Sequence, residues 1–409
     1  MKRNIVIFLF AILAAVFVCA GASASRGNHP RTDQGHSERS GKPGGDKPGS
    51  GRPTEYNASN VVSEDSSGIS YSSSSDSENA VLVSGEVVTI ADASVNKTGS
   101  ASGDEADFYG INAAVLAKDG STLTISGTTI VTDGEHANGI FSYGTGTTVN
   151  VSDTTIATSG NNSGGLMTTG GAALNAENLN VSTGGNSSAA IRSDRGGGTV
   201  NVTGGTYSSA GVGSPAIYST ADITVSNAVL SSAVSEAVVI EGGNSVTLNS
   251  VDITGSNSKK NGKSTVNTNV LIYQSMSGDA SEGNSVFNMS GGSMTSLTGA
   301  MFHVTNVTTE INLNGVSFTY ASDSNVFLDA SADAWGSSGK NGGNVTLNLT
   351  NQSITGSILQ DNVSSVTVYL SGNSTWKLLG DSYISGFSGD MANVDLNGYT
   401  LYINGIAYN

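Results

Sequence analysis

Hydrophobic and polar residues alternate along most of the chain in a pattern of eight positions that recurs about twelve times. Positions one, three and eight are apolar, position two is polar, and position five is usually Gly, Asn or Asp. Alternation of apolar and polar positions predicts a strand. Each copy therefore predicts a strand, a corner and a second short strand. The copies begin at Val88, Leu123, Val149, Leu174, Val200, Ile223, Val246, Phe287, Ile311, Leu347, Val368 and Val394.

Position five is the predicted corner, because Gly, Asn and Asp tolerate a left-handed backbone better than other residues do. Only Ser250 departs from these three residue types. The corner residues are Asp92, Gly127, Asp153, Asn178, Gly204, Asn227, Ser250, Gly291, Gly315, Asn351, Gly372 and Gly398.

The spacing of the copies and a second motif predict how the strands are arranged. Most copies lie 23 to 26 residues apart, a period that indicates a solenoid rather than a series of hairpins. Each copy is followed by a small residue and then an aliphatic one, as in Gly110-Ile111, Gly139-Ile140 and Ala300-Met301, and the aliphatic residue should point inward. Three parallel strands per coil predict an all-β, right-handed parallel β-helix of about twelve coils, since parallel crossovers are almost always right-handed.

In the corner residues and the small-aliphatic step, the sequence resembles the secreted right-handed parallel β-helix proteins. These include pectin-lyase-like enzymes and autotransporter-passenger-like adhesins. The resemblance covers roughly residues 80–405, and both motifs are specific for the architecture but weak evidence for any single family. It implies either a polysaccharide-active enzyme or an adhesin.

The N-terminus has the features of an export signal, which predicts a signal peptide over residues 1–24. Lys2 and Arg3 precede an apolar stretch at residues 5–20, and Ala22 to Ala24 form a small-residue cleavage site. The apolar stretch is short for a membrane span. A lipoprotein signal at Cys19 is disfavoured, because Val18 precedes it. Cleavage after Ala24 leaves no cysteine and no transmembrane span, so disulfides and thiolate metal sites are excluded.

Composition divides the exported chain into two parts. Residues 25–79 are rich in Gly, Pro and Ser and predict a disordered linker, with residues 80–83 as a candidate cap strand. Residues 80–409 form the predicted β-helix domain, closed by residues 399–409. The formal net charge is −16, which argues against nucleic acid as a partner. A small basic segment within residues 25–52 is either a solvated tether or a contact to an anionic cell wall.

Candidate catalytic groups are few. Asp194, Glu241, Asp329 and Asp361 form the best carboxylate row, but Asp329 and Asp361 have no basic partner in the same column. The domain's arginines are Arg192 and Arg195, and its histidines, His136 and His303, are far apart. His303 falls at a position predicted to point inward. We therefore expect no catalytic residue, no metal and no cofactor. The alternative is a lyase or hydrolase whose acidic face, near Asp329 and Asp361, binds a cation and an anionic polysaccharide.

The residue after each small-aliphatic step should point outward, and it is often apolar or aromatic. Aromatic rows on a flat sheet stack on sugar rings or pack on a protein partner. The alternative is that four insertions, near residues 96–109, 256–268, 274–285 and 330–344, fold over this row and bury it. The row reads Asn112, Phe141, Met167, Arg192, Tyr218, Val239, Leu271, Phe302, Phe327, Leu359 and Ile384.

The predicted ligand-binding residues are Phe141, Tyr218, Phe302, Phe327 and, in a glycine-rich loop, Trp335. If the row is exposed, replacing Phe302 and Phe327 with Ser should weaken binding and leave thermal stability unchanged. Threonine ranks typical of an ice-binding face stop after two coils. The sequence thus predicts a secreted or surface-associated, adhesin-like, non-enzymatic rod whose partner is a carbohydrate or a cell-surface protein.

Overall fold

The computed structural model of the chain describes residues 52–259 and 264–409. Within these residues the chain is a solenoid of parallel coils, which confirms the predicted fold class. The predicted signal peptide, Cys19 and the first part of the predicted linker lie outside the described residues. Three faces run along the solenoid, one for each strand of a coil.

Faces 1 and 2 lie before and after the corner and share a 21-stranded sheet, whereas face 3 carries the small-aliphatic step on an 11-stranded sheet. Face 1 consists of Ser66–Ser67, Val87–Ala91, Thr122–Ser126, Thr148–Ser152, Ala172–Glu177, Gly198–Thr203, Asp222–Ser226, Val307–Asn314, Gly343–Thr350, Ser365–Ser371 and Gly386–Ser388. Face 2 consists of Ser70–Ser73, Ser94–Lys97, Thr129–Thr132, Thr155–Thr158, Asn180–Thr183, Thr206–Ser209, Val229–Ser232 and Ser317–Thr319. Two long strands, Ser245–Gly255 and Asn284–Ser296, pass through the corner and belong to both faces.

Face 3 consists of Val81–Ser84, Val115–Lys118, Ile140–Tyr143, Leu166–Thr169, Ile191–Ser193, Ile217–Ser219, Val238–Glu241, Thr268–Tyr273, Ala300–Thr305, Val326–Ala330 and Ser357–Gln360. At the C-terminal end face 2 continues in a separate sheet of Ser353–Thr355, Thr375–Lys377 and Val394–Asp395. Face 3 continues there in Ser382–Ile384, Leu401–Ile403 and Ile406–Tyr408. The other described elements are the paired strands Asn57–Ala58 and Glu78–Asn79, the α-helix Asp104–Tyr109 and the 3-10 helix Met391–Asn393.

The corners have the left-handed backbone that the sequence predicts. Every predicted corner residue has a positive φ, from 46° at Asp153 to 84° at Gly398. Ser250 also takes this conformation, with φ 53°, although serine is not favoured there. The corner therefore depends on its place in the coil, and Gly, Asn and Asp are the residues that adopt it at least cost.

Inward side chains of the three faces form one continuous core along the rod. In one coil Ile140, Val149 and Ile156 are fully buried, and burying each such side chain contributes about 1.5–3 kcal/mol. The turn between faces 2 and 3 carries buried serines that bond from coil to coil. The amide of Ser163 donates to Ser188 Oγ (2.9 Å), and the amide of Ser188 donates to Ser214 Oγ (2.9 Å). Neighbouring coils thus satisfy each other's buried polar groups.

The solenoid begins earlier than residue 80, so the predicted linker is wrong for its C-terminal part. Ser70–Ser73 pairs in parallel with Ser94–Lys97. Tyr71 is 8% exposed and fills the inward position, and Gly68 is the corner with φ 70°. Low hydrophobicity misled the prediction, because a coil that stacks on an existing rod needs few apolar side chains of its own. Its backbone hydrogen bonds come from the neighbouring strand.

The last predicted copy is out of register with the coils before it. Val394 pairs with Trp376 on face 2, so it occupies position eight rather than position one. The face 1 strand of this coil is Gly386–Ser388, whose Phe387 lies beside Val368. The alternation after Val394 resembles the repeat but does not form a face 1 strand.

The predicted closing segment is the end of face 3. Leu401–Ile403 pairs in parallel with Ser382–Ile384. Ile406–Tyr408 then folds back and pairs antiparallel with Leu401–Ile403. Gly398 turns the chain into this segment instead of forming a corner between faces 1 and 2.

The first insertion contains the helix Asp104–Tyr109, which ends at Gly110 with φ 78°. The face 3 strand of this coil consequently starts at Val115, the partner of Ile140, and not at the predicted Gly110-Ile111. The second insertion includes residues 260–263, which are not described. In residues 52–259 and 264–409 no helix is both long and apolar enough to cross a bilayer.

Candidate functional site

Phe141 is buried under the first insertion and the N-terminal segment. Its side chain is fully buried and packs in a cluster with Leu116 and Met167, which Tyr56 and Tyr109 cover. A ring without exposed surface cannot stack on a ligand, so Phe141 is not part of an exposed row. At Phe141, therefore, the alternative holds in which an insertion folds over the predicted outward row and buries it.

Phe302 and Phe327 are also fully buried, but in the central core. Phe302 pairs with Val270 and Leu328 on face 3, so it occupies the inward position that the sequence assigned to Met301. A register shift between Val326 and Leu328 accompanies the inward placement of Phe327, whose ring centroid lies 5.5 Å from that of Phe302. The prediction that these two residues bind a ligand is therefore wrong.

Tyr218 and Trp335 are half-buried and lie in one aromatic cluster on face 3. The cluster, here called the aromatic patch, has Val239, Leu271 and Tyr273 at its centre, with Tyr218 and Trp335 packed against them. The ring centroids of Tyr273 and Trp335 are 4.4 Å apart. Sequence reasoning missed Tyr273, although it lies two residues after Leu271 and thus points to the same side of the strand.

A buried carboxylate holds the two tyrosines of the patch in place. Glu241 is 2% exposed and accepts hydrogen bonds from the hydroxyls of Tyr218, Tyr273 and Ser275. The Tyr273 bond is 2.9 Å long. Burial and the neighbouring carboxylate raise the pKa of Tyr218 and Tyr273 well above the ordinary phenol value. Both phenols therefore remain donors to Glu241 at neutral pH.

A small pocket opens beside the aromatic patch. It has a volume of about 180 Å³, which fits a single ring-sized group rather than a large ligand. Arg192 forms one wall, with its guanidinium carbon 5.8 Å from the centre of the Tyr218 ring. The guanidinium donates to Asp194 (2.8 Å) and to the carbonyl of Ser187 (3.0 Å). The residues that line this arginine–tyrosine pocket are Ser187, Ala189, Arg192, Gly213, Pro215, Tyr218 and Tyr273.

Arg195 ties two insertions together next to the pocket. Its guanidinium donates to Asp279 of the third insertion (2.8 Å) and to Asp104 of the first (3.4 Å). It also lies 3.7 Å from the centre of the Phe108 ring. The pocket itself is lined by residues of face 3 strands and of the turns just before them, so it lies on a rigid sheet, an arrangement common in binding sites.

The acidic row that would serve an enzyme is not assembled as expected. Asp329 pairs with Leu359, whereas Asp361 lies two residues beyond Leu359, just after that strand has ended. Asp361 accepts hydrogen bonds from the amides of Ala332 (2.9 Å) and Val363 (3.1 Å). Burial raises its pKa, but hydrogen bonds from Ser364, Ala332 and Val363 lower it more. Among the described residues no group of three or more His, Cys, Asp and Glu could hold a metal ion.

The two histidines have structural contacts. His136 Nδ1 lies 2.6 Å from Asp107 of the first insertion. His303 is fully buried, but it pairs with Leu271 and Asp329, so it points outward under the fourth insertion and not inward as predicted. Its Nδ1 contacts the carbonyl of Asp329 at 3.0 Å.

Sequence reasoning also missed a tyrosine pair at the C-terminal end of face 3. Tyr383, which is 42% exposed, stacks on Tyr402 with centroids 4.8 Å apart and an angle of 2°. The predicted outward residue of this strand, Ile384, is 1% exposed, so the outward column is one residue off. Stacking covers the ring faces between the two tyrosines.

Comparison with known proteins gave no match to a family model, to a curated protein or to a solved structure.

Proposed function

We propose that the protein is an exported, adhesin-like β-helix rod that binds glycans at the arginine–tyrosine pocket without transforming them. The observation that carries the proposal is the meeting of Arg192, Tyr218 and Tyr273 at one cavity of about 180 Å³. Two of the five residues predicted to bind a ligand, Tyr218 and Trp335, lie in the aromatic patch beside it.

The chemistry of the pocket suits a sugar ring. Phenol rings supply an apolar surface on which the C–H face of a sugar packs, and polar groups at the edge orient its hydroxyls. Arginine has five N–H donors, and Arg192 uses only part of them for Asp194 and Ser187. Because Asp194 balances the charge of Arg192, the pocket favours an uncharged sugar over an acidic one.

The carboxylates near the pocket support binding rather than catalysis. Glu241 is occupied by three hydroxyl groups, and Asp194 is paired with Arg192. A general acid or base must reach the proton that it transfers, and neither group is free to do so. The predicted signal peptide supports a secreted or surface-associated location, where the partner is a carbohydrate or a glycosylated cell-surface protein.

A glycan array tests the proposal. On an array of mono-, di- and trisaccharides, which are too short to span the long face 1 of the rod, we expect the chain without its predicted signal peptide to bind a defined set of neutral glycans and to release no product from them. Tyr218→Ala should abolish this binding, whereas Tyr369→Ala, at an exposed position of face 1, should leave it unchanged. Circular dichroism would verify that both variants fold. Binding that survives Tyr218→Ala, or release of sugars during incubation, would overturn the proposal.

A further inference from the structure

A row of asparagine and threonine side chains runs along the outside of face 1. Its members are register partners at position two of successive coils, and they are half-buried or exposed. We call this row the amide ladder, and it consists of Thr124, Asn150, Asn175, Asn201, Thr224, Thr247, Asn288, Asn312 and Asn348.

The amides of the ladder bond to one another and remain partly unused. Asn175 Nδ2 donates to Asn150 Oδ1 (2.9 Å), and Asn201 Nδ2 donates to Asn175 Oδ1 (3.0 Å). The same bonds join Asn288, Asn312 and Asn348, at 2.9 and 2.8 Å. A primary amide has two donor hydrogens and two acceptor lone pairs, so the ladder bonds leave donors and acceptors at the surface.

The ladder borders two shallow troughs on face 1. One, of about 460 Å³, lies along Asn150, Asn175 and Asn201, and the other, of about 210 Å³, lies along Asn288, Asn312 and Asn348. Of the residues that line the troughs, only Glu177 is charged. In a chain with a formal net charge of −16, this near absence of charge selects an uncharged ligand.

We infer that the amide ladder binds an extended, uncharged polysaccharide whose chain runs along the rod. Adjacent strands are about 4.8 Å apart, so the ladder offers an amide or hydroxyl at an interval close to the length of one β-linked sugar ring. Hydroxyl groups of the polymer both donate and accept hydrogen bonds, as amides do. This surface is separate from the arginine–tyrosine pocket and does not depend on it.

Replacement of three amides tests the inference. Asn150, Asn175 and Asn201 are changed together to Val, because the ladder already contains β-branched Thr124, Thr224 and Thr247 and valine has the same shape without the hydroxyl. The matched control changes the same three residues to Thr, and a second control is Asn180→Val on face 2. Affinity electrophoresis in gels with soluble xylan, β-glucan or mannan measures the binding.

We expect the wild-type chain to be retarded by at least one of these neutral polymers and not by polygalacturonate. The triple Val variant should lose at least tenfold in affinity, since each lost hydrogen bond has a modest effect and the three effects combine. The Thr variant should lose less, and Asn180→Val and the pocket variant Tyr218→Ala should bind as wild type. The inference is overturned if the wild type binds none of the three polymers. It is also overturned if the triple Val variant binds as tightly as the wild type. Dimerisation through the ladder, detected by sedimentation, would also overturn it.

Discussion

The indole ring of Trp335 packs on the phenol ring of Tyr273, with the two centroids 4.4 Å apart. Trp335 belongs to the fourth insertion, and Tyr273 lies at the end of a face 3 strand and lines the arginine–tyrosine pocket. A loop residue is thereby fixed to the wall of the pocket. This contact links the fourth insertion to a pocket whose wall also contains Tyr218, a half-buried member of the predicted row.

Replacing Phe302 should destabilise the protein strongly. Its ring is fully buried between Phe287 and Phe327, at 5.4 and 5.5 Å, and removing a buried phenylalanine side chain costs about 3–5 kcal/mol. Phe302→Ala should therefore lower the urea midpoint markedly, contrary to the expectation from sequence that stability is unchanged. Tyr369→Ala, at a residue 43% exposed, should change the free energy of unfolding by less than about 0.5 kcal/mol. Equal midpoints for the two variants would show that Phe302 is not in the core.

Replacing Ser250 with glycine should stabilise the protein. Ser250 has φ 53°, and a side chain in the left-handed region costs about 1–2 kcal/mol compared with the favoured backbone. Ser250→Gly should recover about 0.5–1 kcal/mol, because part of the gain is offset by the greater entropy of unfolded glycine. As a control, Ser226→Gly lies in the strand just before a corner and should destabilise. A loss of stability in Ser250→Gly would argue against strain at the corner.

Replacing Arg195 should loosen the insertions and leave the rod intact. The guanidinium is 28% exposed and contacts Asp279 and Asp104, so its loss should cost only about 1 kcal/mol. Limited proteolysis of Arg195→Ala should cut faster within residues 274–285 than it does in the wild type. Lys377→Ala removes the exposed 3.6 Å pair with Asp395 and should have the wild-type cleavage rate. Unchanged proteolysis of Arg195→Ala would contradict its role as a clamp.

Asp333 attaches the fourth insertion to the second, and we expect acid to weaken this attachment. Its carboxylate accepts hydrogen bonds from Thr265 N (3.0 Å), Thr265 Oγ1 (2.9 Å) and Ser264 Oγ (2.9 Å). Burial raises the pKa of Asp333, but His303 and these hydrogen bonds lower it more, so the pKa in the folded state is below the ordinary value. Because its pKa is lowered in the folded state, the Asp333 carboxylate stabilises the folded protein fully at pH values above the ordinary carboxyl pKa of about 3.9. This stabilisation is lost as the pH falls below that value.

Asp333→Asn should therefore unfold at a lower urea concentration than the wild type near neutral pH, and the difference should shrink below about pH 4. Urea unfolding followed by circular dichroism over this pH range measures it. A difference that stays constant with pH would mean that the charge of Asp333 does not contribute.

The fold could be predicted from sequence because it depends on local features that repeat. A left-handed residue such as Asp153 and an inward aliphatic such as Ile156 recur with the period of the coil, and each copy supports the others. The prediction failed where a pairing partner, and not local pattern, decides the structure. Ser70–Ser73 forms a strand because Ser94–Lys97 lies beside it, and Val394 is placed by Trp376.

The candidate site was harder to predict for the same physical reason. Alternation separates the two sides of a strand, but it does not show which segments cover the outer side. Tyr218 remained available to a ligand, whereas Phe141 is covered by Tyr109 and Tyr56. A single added residue, as at Phe327 between Val326 and Leu328, exchanges inside and outside. Insertions and register shifts therefore limit prediction of the site more than prediction of the fold.

Tryptophan fluorescence measures glycan binding at the pocket most directly. The chain has two tryptophans; Trp376 is fully buried, and Trp335 lies on Tyr273 at the pocket. We predict that a glycan selected on the array shifts or quenches the emission in a saturable way. The change should disappear in Trp335→Phe and persist in Trp376→Phe. If a glycan that binds the protein leaves the emission unchanged, or changes it equally in Trp335→Phe, the pocket is not the binding site.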